Sequence, residues 1–151
     1  MLKKGDQLPD ITLKNQAGES VALRNFIGKN ALVVYFYPKD ETPGCTREAC
    51  HFRDDYEAFT SLGAKVFGIS ADSVDSHKKF AQRLRLSFDL LSDEKKQAEK
   101  AFKVPRNLFG LLPGRVTFII DKEGVIQHVY NSAVNMAGHV KHAMDALKRM
   151  S

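Results

Sequence analysis

The sequence predicts an α/β fold: a central mixed β-sheet flanked by helices, with a β-hairpin at the N-terminal end. Three observations carry this expectation. Ala31 to Tyr37 is an unbroken β-branched and aromatic run, the pattern of a strand covered on both faces. The segments after it alternate between helix-period and strand-like patterns. No repeat, linker or low-complexity stretch divides the 151 residues, so one domain spanning residues 1–151 is expected, long enough to bury a sizeable core.

The elements follow in order. Asp10 to Lys14 and Ser20 to Leu23 read as two short strands about the turn Asn15-Gln16-Ala17-Gly18-Glu19, which gives the hairpin. Pro38 ends the Ala31–Tyr37 strand. From about Cys45 to Leu62, the apolar residues Ala49, Phe52, Tyr56 and Phe59 recur at helical spacing, and Gly63 closes that helix. Lys65 to Ser70 is the next strand and Val74 to Leu84 the next helix. Asp89 to Ser92 is a short strand, followed by a Lys/Glu/Ala-rich helix from about Glu94 to Phe102. Val104 to Pro113 carries no diagnostic pattern and receives no catalytic role. Arg115 to Ile120 and Val125 to Tyr130 flank Asp121-Lys122-Glu123-Gly124, whose glycine suits a bulged hairpin turn. A last helix runs from about Ala137 to Lys148. This is the element order of a thioredoxin-like fold, and the right-handed crossover rule makes its first strand–helix–strand units parallel.

Composition narrows the function classes. Hydrophobic residues make up 43% and charged residues 27%, ordinary for a globular protein. The net charge is +5, but the basic residues fall in short groups, Lys78-Lys79, Arg83 with Arg85, and Lys95-Lys96, with acidic residues around them. A nucleic-acid footprint would concentrate on one face beside aromatic platforms, so these read as a solvated surface able to help recruit an acidic partner. The longest apolar run is too short to span a bilayer, and no apolar stretch follows the charged opening Met1-Leu-Lys-Lys-Gly-Asp. No membrane association and no signal peptide are expected. A cytoplasmic location is, or an organelle stroma or lumen where a transit peptide has been removed. The two cysteines are too few for a disulfide-stapled scaffold. They sit within Gly44-Cys45-Thr46-Arg47-Glu48-Ala49-Cys50, where a crosslink would close too short a loop to add much stability. Thiols used for chemistry in a reducing compartment are the better reading.

The chemistry concentrates where the buried strand meets its helix. Ligands in open α/β sheets bind beyond the carboxyl ends of strands, which is where Pro38 to Cys45 lies. Cys45 falls in the first turn of its helix, where unpaired backbone N–H groups and the positive dipole end favour a thiolate. Thr42, three residues earlier, is close enough for its hydroxyl to approach the sulfur or a bound oxygen. Thr42 also suits the N-cap, with Pro43 at the first helical position. Attack on an O–O bond needs such donors, because negative charge moves onto the departing oxygen.

The spacing of Pro38, Thr42 and Cys45, a Pro-x3-Thr-x2-Cys pattern, resembles the peroxiredoxins. The close second cysteine in Thr42-Pro-Gly-Cys-Thr-Arg-Glu-Ala-Cys50 is similar to the Q-type or bacterioferritin comigratory protein branch. The likeness runs from Gly5-Asp6 and Pro9 through Phe36-Tyr37-Pro38 to Gly114-Arg115-Val-Thr-Phe-Ile-Ile-Asp121. It implies a peroxide pocket lined by Pro38, Thr42, Cys45 and Arg115, with Cys45 peroxidatic and Cys50 resolving. It further implies a thiol-dependent peroxidase acting on hydrogen peroxide and organic hydroperoxides, without cofactor or metal. Thioredoxin or a thioredoxin-like protein would be the reductant, and an internal resolving cysteine makes a monomer sufficient. Arg115 is apt for the role, since a permanently charged fork can hold both thiolate and peroxide oxygens. Within an intact helix Cys45 and Cys50 are separated by about 7.5 Å of rise and about 140° of rotation. A disulfide needs Cα atoms within roughly 7 Å and converging side chains, so the helix start must unwind for Cys50 to reach a sulfenic acid on Cys45.

Other readings fit less well. Zinc would require four well-spaced ligands, whereas Cys45, Cys50 and His51 have no second pair. His139 and His142 share a helical face and read as exposed surface residues. Glu48 reads either as the partner of an active-site arginine or as half of an exposed helix pair, and is left outside the site. A thiol–disulfide oxidoreductase would show two residues between its cysteines. A noncatalytic redox-sensing or interaction module using the same cysteine pair is the remaining alternative.

Overall fold

In a computed structural model, residues 1–107 and 112–150 are described. The core strand is β3 (Ala31–Phe36), and its burial on both sides explains the fold around it. Val33, Tyr35 and the following Tyr37 point into one apolar cluster, while Leu32, Val34 and Phe36 point into a second on the opposite face. A strand that feeds two cores must be central. β3 accordingly pairs in parallel with β4 (Ala64–Ser70) and antiparallel with β8 (Val116–Ile120). β4 pairs in parallel with β5 (Asp89–Ser92), and β8 antiparallel with β9 (Ile126–Asn131).

The N-terminal hairpin, β1 (Thr12–Asn15) and β2 (Ser20–Ala22), joins the sheet through β5. The result is a seven-stranded mixed sheet in the order β2-β1-β5-β4-β3-β8-β9. This is the thioredoxin-like α/β architecture expected, with the parallel pairs where the crossover rule placed them. Gly124 takes φ +81 in the β8–β9 turn, and a register shift at Ile119/Ile120 supplies the expected bulge. A two-residue ladder, β6 (Arg106–Asn107) with β7 (Leu112–Pro113), lies outside the main sheet.

One face of the sheet carries α1 (Pro43–Asp54), α2 (Tyr56–Ser61), α3 (Val74–Leu84) and α5 (Met136–Met150). Tyr35 stacks on Phe52 of α1 with ring centroids 4.5 Å apart, and Gly68 on β4 makes room for it. A Cβ at Gly68 would lie 2.7 Å from the tyrosine ring. Removing the Phe52 side chain would cost about 3–5 kcal/mol. The other face is covered by α4 (Gln97–Ala101), with Ala98 and Phe102 buried against Phe36 and Phe118.

The first strand starts at Thr12 rather than Asp10, and two helices differ from expectation in extent. The helix expected over 45–62 starts at Pro43 and breaks at Asp55, whose φ of −100° and ψ of 6° leave the helical region. Asp54 and Asp55 put two carboxylates at a helix C-terminus, where the dipole opposes them. The helix expected over 94–102 shortens to five residues. Asp93 sets its start by accepting hydrogen bonds from the backbone N–H groups of Ala98 and Glu99. Among the described residues, no helix is long and apolar enough to cross a membrane.

Candidate active site

The end of β3 delivers the chain to α1 through Pro38 to Thr42. Thr42 is the N-cap with extended φ and ψ, and Pro43 at the helix start has the fixed φ that such a position favours. Cys45 is therefore the third residue of α1, inside the turn whose backbone N–H groups have no intrahelical partner. Its side chain is 1% exposed and packed within the core cluster under α1.

Arg115 enters from the start of β8 and is itself buried. Its Nη2 donates to Cys45 Sγ at 3.2 Å and its Nη1 to Glu48 Oε1 at 2.8 Å. Cys45 and Glu48 are three residues apart on one helix face, a spacing that one planar guanidinium can bridge with its two arms. The glycine between Pro43 and Cys45 makes this possible. A Cβ on Gly44 would sit 3.2 Å from Arg115 Nη2 and 3.4 Å from Met136 Cε, so a side chain there would press on the guanidinium.

Glu48 is fully buried, and burial raises its carboxyl from the ordinary 4.5 to about 7 against the opposing charge of Arg115. Burial alone would lower Arg115, but the charges of Glu48 and Cys45 outweigh it and hold the guanidinium above its ordinary range. Glu48 Oε2 has no hydrogen-bond partner and lies 3.6 Å from Nδ1 of His139. His139 Nε2 contacts the Ser132 carbonyl at 2.8 Å, and a carbonyl can only accept, so this nitrogen carries the proton. Burial lowers His139 to about 4, which keeps the ring neutral and lets Nδ1 accept from the Thr117 hydroxyl at 2.8 Å.

The structure thus brings Cys45 and Arg115 together, as the sequence led us to expect, and Cys50 lies half-buried further along α1. Both cysteines are free thiols. Thr42 is placed at the helix start, and its hydroxyl donates to the Lys39 carbonyl at 2.9 Å. Pro38 is half-buried and lines a cleft with Tyr37, Ser70, Lys96 and Arg106, beyond the carboxyl ends of β3 and β4. Two readings are corrected. Glu48 is not half of an exposed helix pair: it is fully buried and accepts from Arg115 Nη1. His139 is not a surface residue: it is fully buried between Thr117 and Ser132, while His142 stacks on Tyr130 with ring centroids 4.0 Å apart. A lone glutamate or histidine on a helix carries no local signal of burial; only the facing strands reveal it.

The AhpC/TSA family pattern matches residues 4–129. A chloroplastic peroxiredoxin Q of Sedum lineare is 51% identical over 147 residues, covering 97% of this chain and 78% of that protein. Its counterpart in Arabidopsis thaliana is 49% identical, covering 97% of this chain and 68% of that protein. Among solved structures, the peroxidoxin BcpB of Mycobacterium tuberculosis superposes with a TM-score of 0.93 at 37% identity, covering 100% of this chain and 99% of that one. A bacterioferritin comigratory protein of Xanthomonas campestris, described for its alkyl peroxide reduction activity, superposes with a TM-score of 0.86 at 34% identity, covering 96% and 99%. The chain belongs to the AhpC/TSA family and is a peroxiredoxin, a thiol peroxidase among the oxidoreductases. Within that family its relatives are those of the Q-type and bacterioferritin comigratory protein branch.

Proposed function

We propose that Cys45 is the peroxidatic thiol, Cys50 the resolving thiol, and Arg115, Thr42 and Pro38 the residues that shape the peroxide site. The observation that carries this reading is the 3.2 Å contact from Arg115 Nη2 to a buried sulfur at a helix N-terminus. The thiolate of Cys45 attacks one peroxide oxygen; the O–O bond breaks, the sulfur is oxidised to sulfenic acid, and the departing oxygen leaves as alkoxide or hydroxide and takes a proton. Arg115, whose second arm is anchored on Glu48, stabilises the negative charge as it shifts from sulfur to oxygen. The Cys50 thiol then condenses with the sulfenic acid, forming the S–S bond and releasing water.

Both cysteines lie in the one intact helix α1, so this second step requires the first turns to unwind. An external dithiol of the thioredoxin type returns both sulfurs to thiols. Hydrogen peroxide and organic hydroperoxides are the substrates proposed, the latter supported by the alkyl peroxide activity of the Xanthomonas relative. An internal resolving cysteine lets a monomer complete the cycle. The reading fits a cytoplasmic setting or, as for the chloroplastic relatives, an organelle interior.

Peroxide consumption driven by thioredoxin and its reductase tests the assignment. Cys45→Ser should abolish turnover, while Cys50→Ser should react once and stop at the sulfenic acid, seen by mass spectrometry. Hydrogen exchange should show protection lost across residues 45–54 in the disulfide form. Normal turnover by Cys45→Ser overturns the nucleophile assignment. Stoichiometric oxidation of wild type without turnover would favour a redox-sensing module instead.

A further inference from the structure

A second buried polar cluster sits at the root of the loop that carries Thr42 and Cys45, and the steps above do not use it. Asp40 is 3% exposed and His77, on α3, is fully buried. Asp40 Oδ1 accepts from the Tyr37 hydroxyl at 2.6 Å. Its Oδ2 accepts from Ser76 Oγ at 2.9 Å and faces His77 Nδ1 at 2.7 Å. The backbone N–H of Asp40 donates to Asp72 Oδ2, which also accepts from Ser70 Oγ at 2.6 Å. The neighbouring Glu41, held at φ +65, accepts from Arg83 on α3. Two successive loop residues are therefore tied to one helix.

The protons can be counted. His77 Nε2 faces the Leu91 carbonyl of β5 at 3.1 Å, and since a carbonyl only accepts, Nε2 carries a proton. At Nδ1 the ring faces a carboxylate oxygen at 2.7 Å, a contact that is repulsive unless a proton lies between them. The pair therefore holds one proton in that gap, most simply as an imidazolium–carboxylate pair with every facing atom satisfied. Asp40, Asp72 and His77 each bring a ligand atom within 4.8 Å of the others, but these hydrogen bonds already account for all three, so the cluster is a fastening rather than a cation site.

We propose that Asp40 and His77 form a latch that positions the peroxidatic loop. It holds Thr42 and Cys45 in the geometry that reacts with peroxide, and its strength sets how readily the loop and helix start open for disulfide formation. Asp40 and His77 are positioning residues, since neither touches the sulfur. The anchor lies at the right point in the chain. Asp40 is two residues before the N-cap of α1; its partners Ser76 and His77 stand on α3, and His77 is in turn held to the Leu91 carbonyl of β5, outside the helix that must unwind. The latch rests on the function proposed above, in which one loop must be rigid for the first step and open for the second.

Such a device makes the two steps respond in opposite senses, which a loss of general stability does not. In Asp40→Asn and His77→Gln, the oxidation of Cys45, followed by stopped flow in a Cys50→Ser background, should slow by on the order of 10-fold to 100-fold. Formation of the Cys45–Cys50 disulfide after a peroxide pulse should accelerate several-fold. Ser76→Ala, which removes one hydrogen bond and leaves the pair, should move both rates the same ways by less, and serves if the stronger variants fail to fold. Nitrogen NMR of wild type should show both ring nitrogens of His77 bearing protons in the reduced protein.

A ring with one protonated nitrogen, or folded variants whose two rates are unchanged or fall together, would overturn the latch. Failure of the underlying function would look different: wild type itself would form no Cys45–Cys50 disulfide, and the latch would then stand or fall on the oxidation rates and the ring protons.

Discussion

Arg115→Met replaces the guanidinium by an uncharged side chain of similar length, and the structure gives the size of two separate losses. The first is catalytic. A preorganised donor 3.2 Å from the reacting sulfur disappears from a buried site, and removal of one such donor typically slows a reaction by about 100-fold to 1000-fold. The second is structural. Glu48 is left buried without the partner at 2.8 Å, and breaking a buried pair costs about 3–5 kcal/mol while the remaining group stays charged. Burial raises Glu48 to about 7 even against the charge of Arg115, and removing that charge raises it further, so Glu48 can escape the cost by taking a proton and the stability loss should shrink as pH falls from 8 to 5. Combining Arg115→Met with Glu48→Gln removes both charges and should restore most of the stability without restoring the rate. Arg115→Lys keeps a charge but cannot span two acceptors, and should recover only part of the rate. The assays are single-turnover oxidation of Cys45 by stopped flow in a Cys50→Ser background, and urea unfolding at both pH values. If the folded double variant oxidises within about threefold of wild type, the guanidinium is not what stabilises the shifting charge, and the argument fails.

Two further predictions follow from the same site. For Glu48→Gln, the sign comes from a carboxyl whose folded value, about 7, lies above its ordinary 4.5. Its favourable contribution is complete below pH 4.5 and is lost as pH rises through 7, so the glutamine variant should gain on wild type between pH 5 and 8 by up to about 3 kcal/mol; urea midpoints across that range would show it, and a constant difference would contradict it. Gly44→Ala should favour the helix by up to about 1 kcal/mol while slowing Cys45 oxidation by about tenfold, because the new methyl presses on Arg115 from 3.2 Å. Thermal unfolding and stopped flow together check this, and an unchanged oxidation rate would show that the guanidinium has room to adjust.

The sequence by itself determined what is local. The Ala31–Tyr37 run had to be a doubly covered strand, since neither face offered a polar residue to water, and the two apolar clusters meet on it. Pro38, Thr42, Cys45 and Cys50 lie within one strand–loop–helix connection, so their order and spacing alone carry the resemblance on which the proposed site rests. Arg115 could be singled out because it stands in a recognisable stretch just before β8. What only the tertiary structure decided is which polar groups lose their water together. Glu48 and Arg115 are 67 residues apart, and Asp40 and His77 are 37 apart. In sequence, Glu48 sits among Arg47, His51 and Arg53 and looks like one half of an exposed helix pair; His139 shares a helical face with His142 and looks solvated. Each is buried because packing α1, α3 and α5 on one face of the sheet brings them against strands from elsewhere in the chain. Periodicity reports which side of a helix is apolar, but a buried charge interrupts that pattern, and its partner is fixed by the sheet order rather than by any neighbour along the chain.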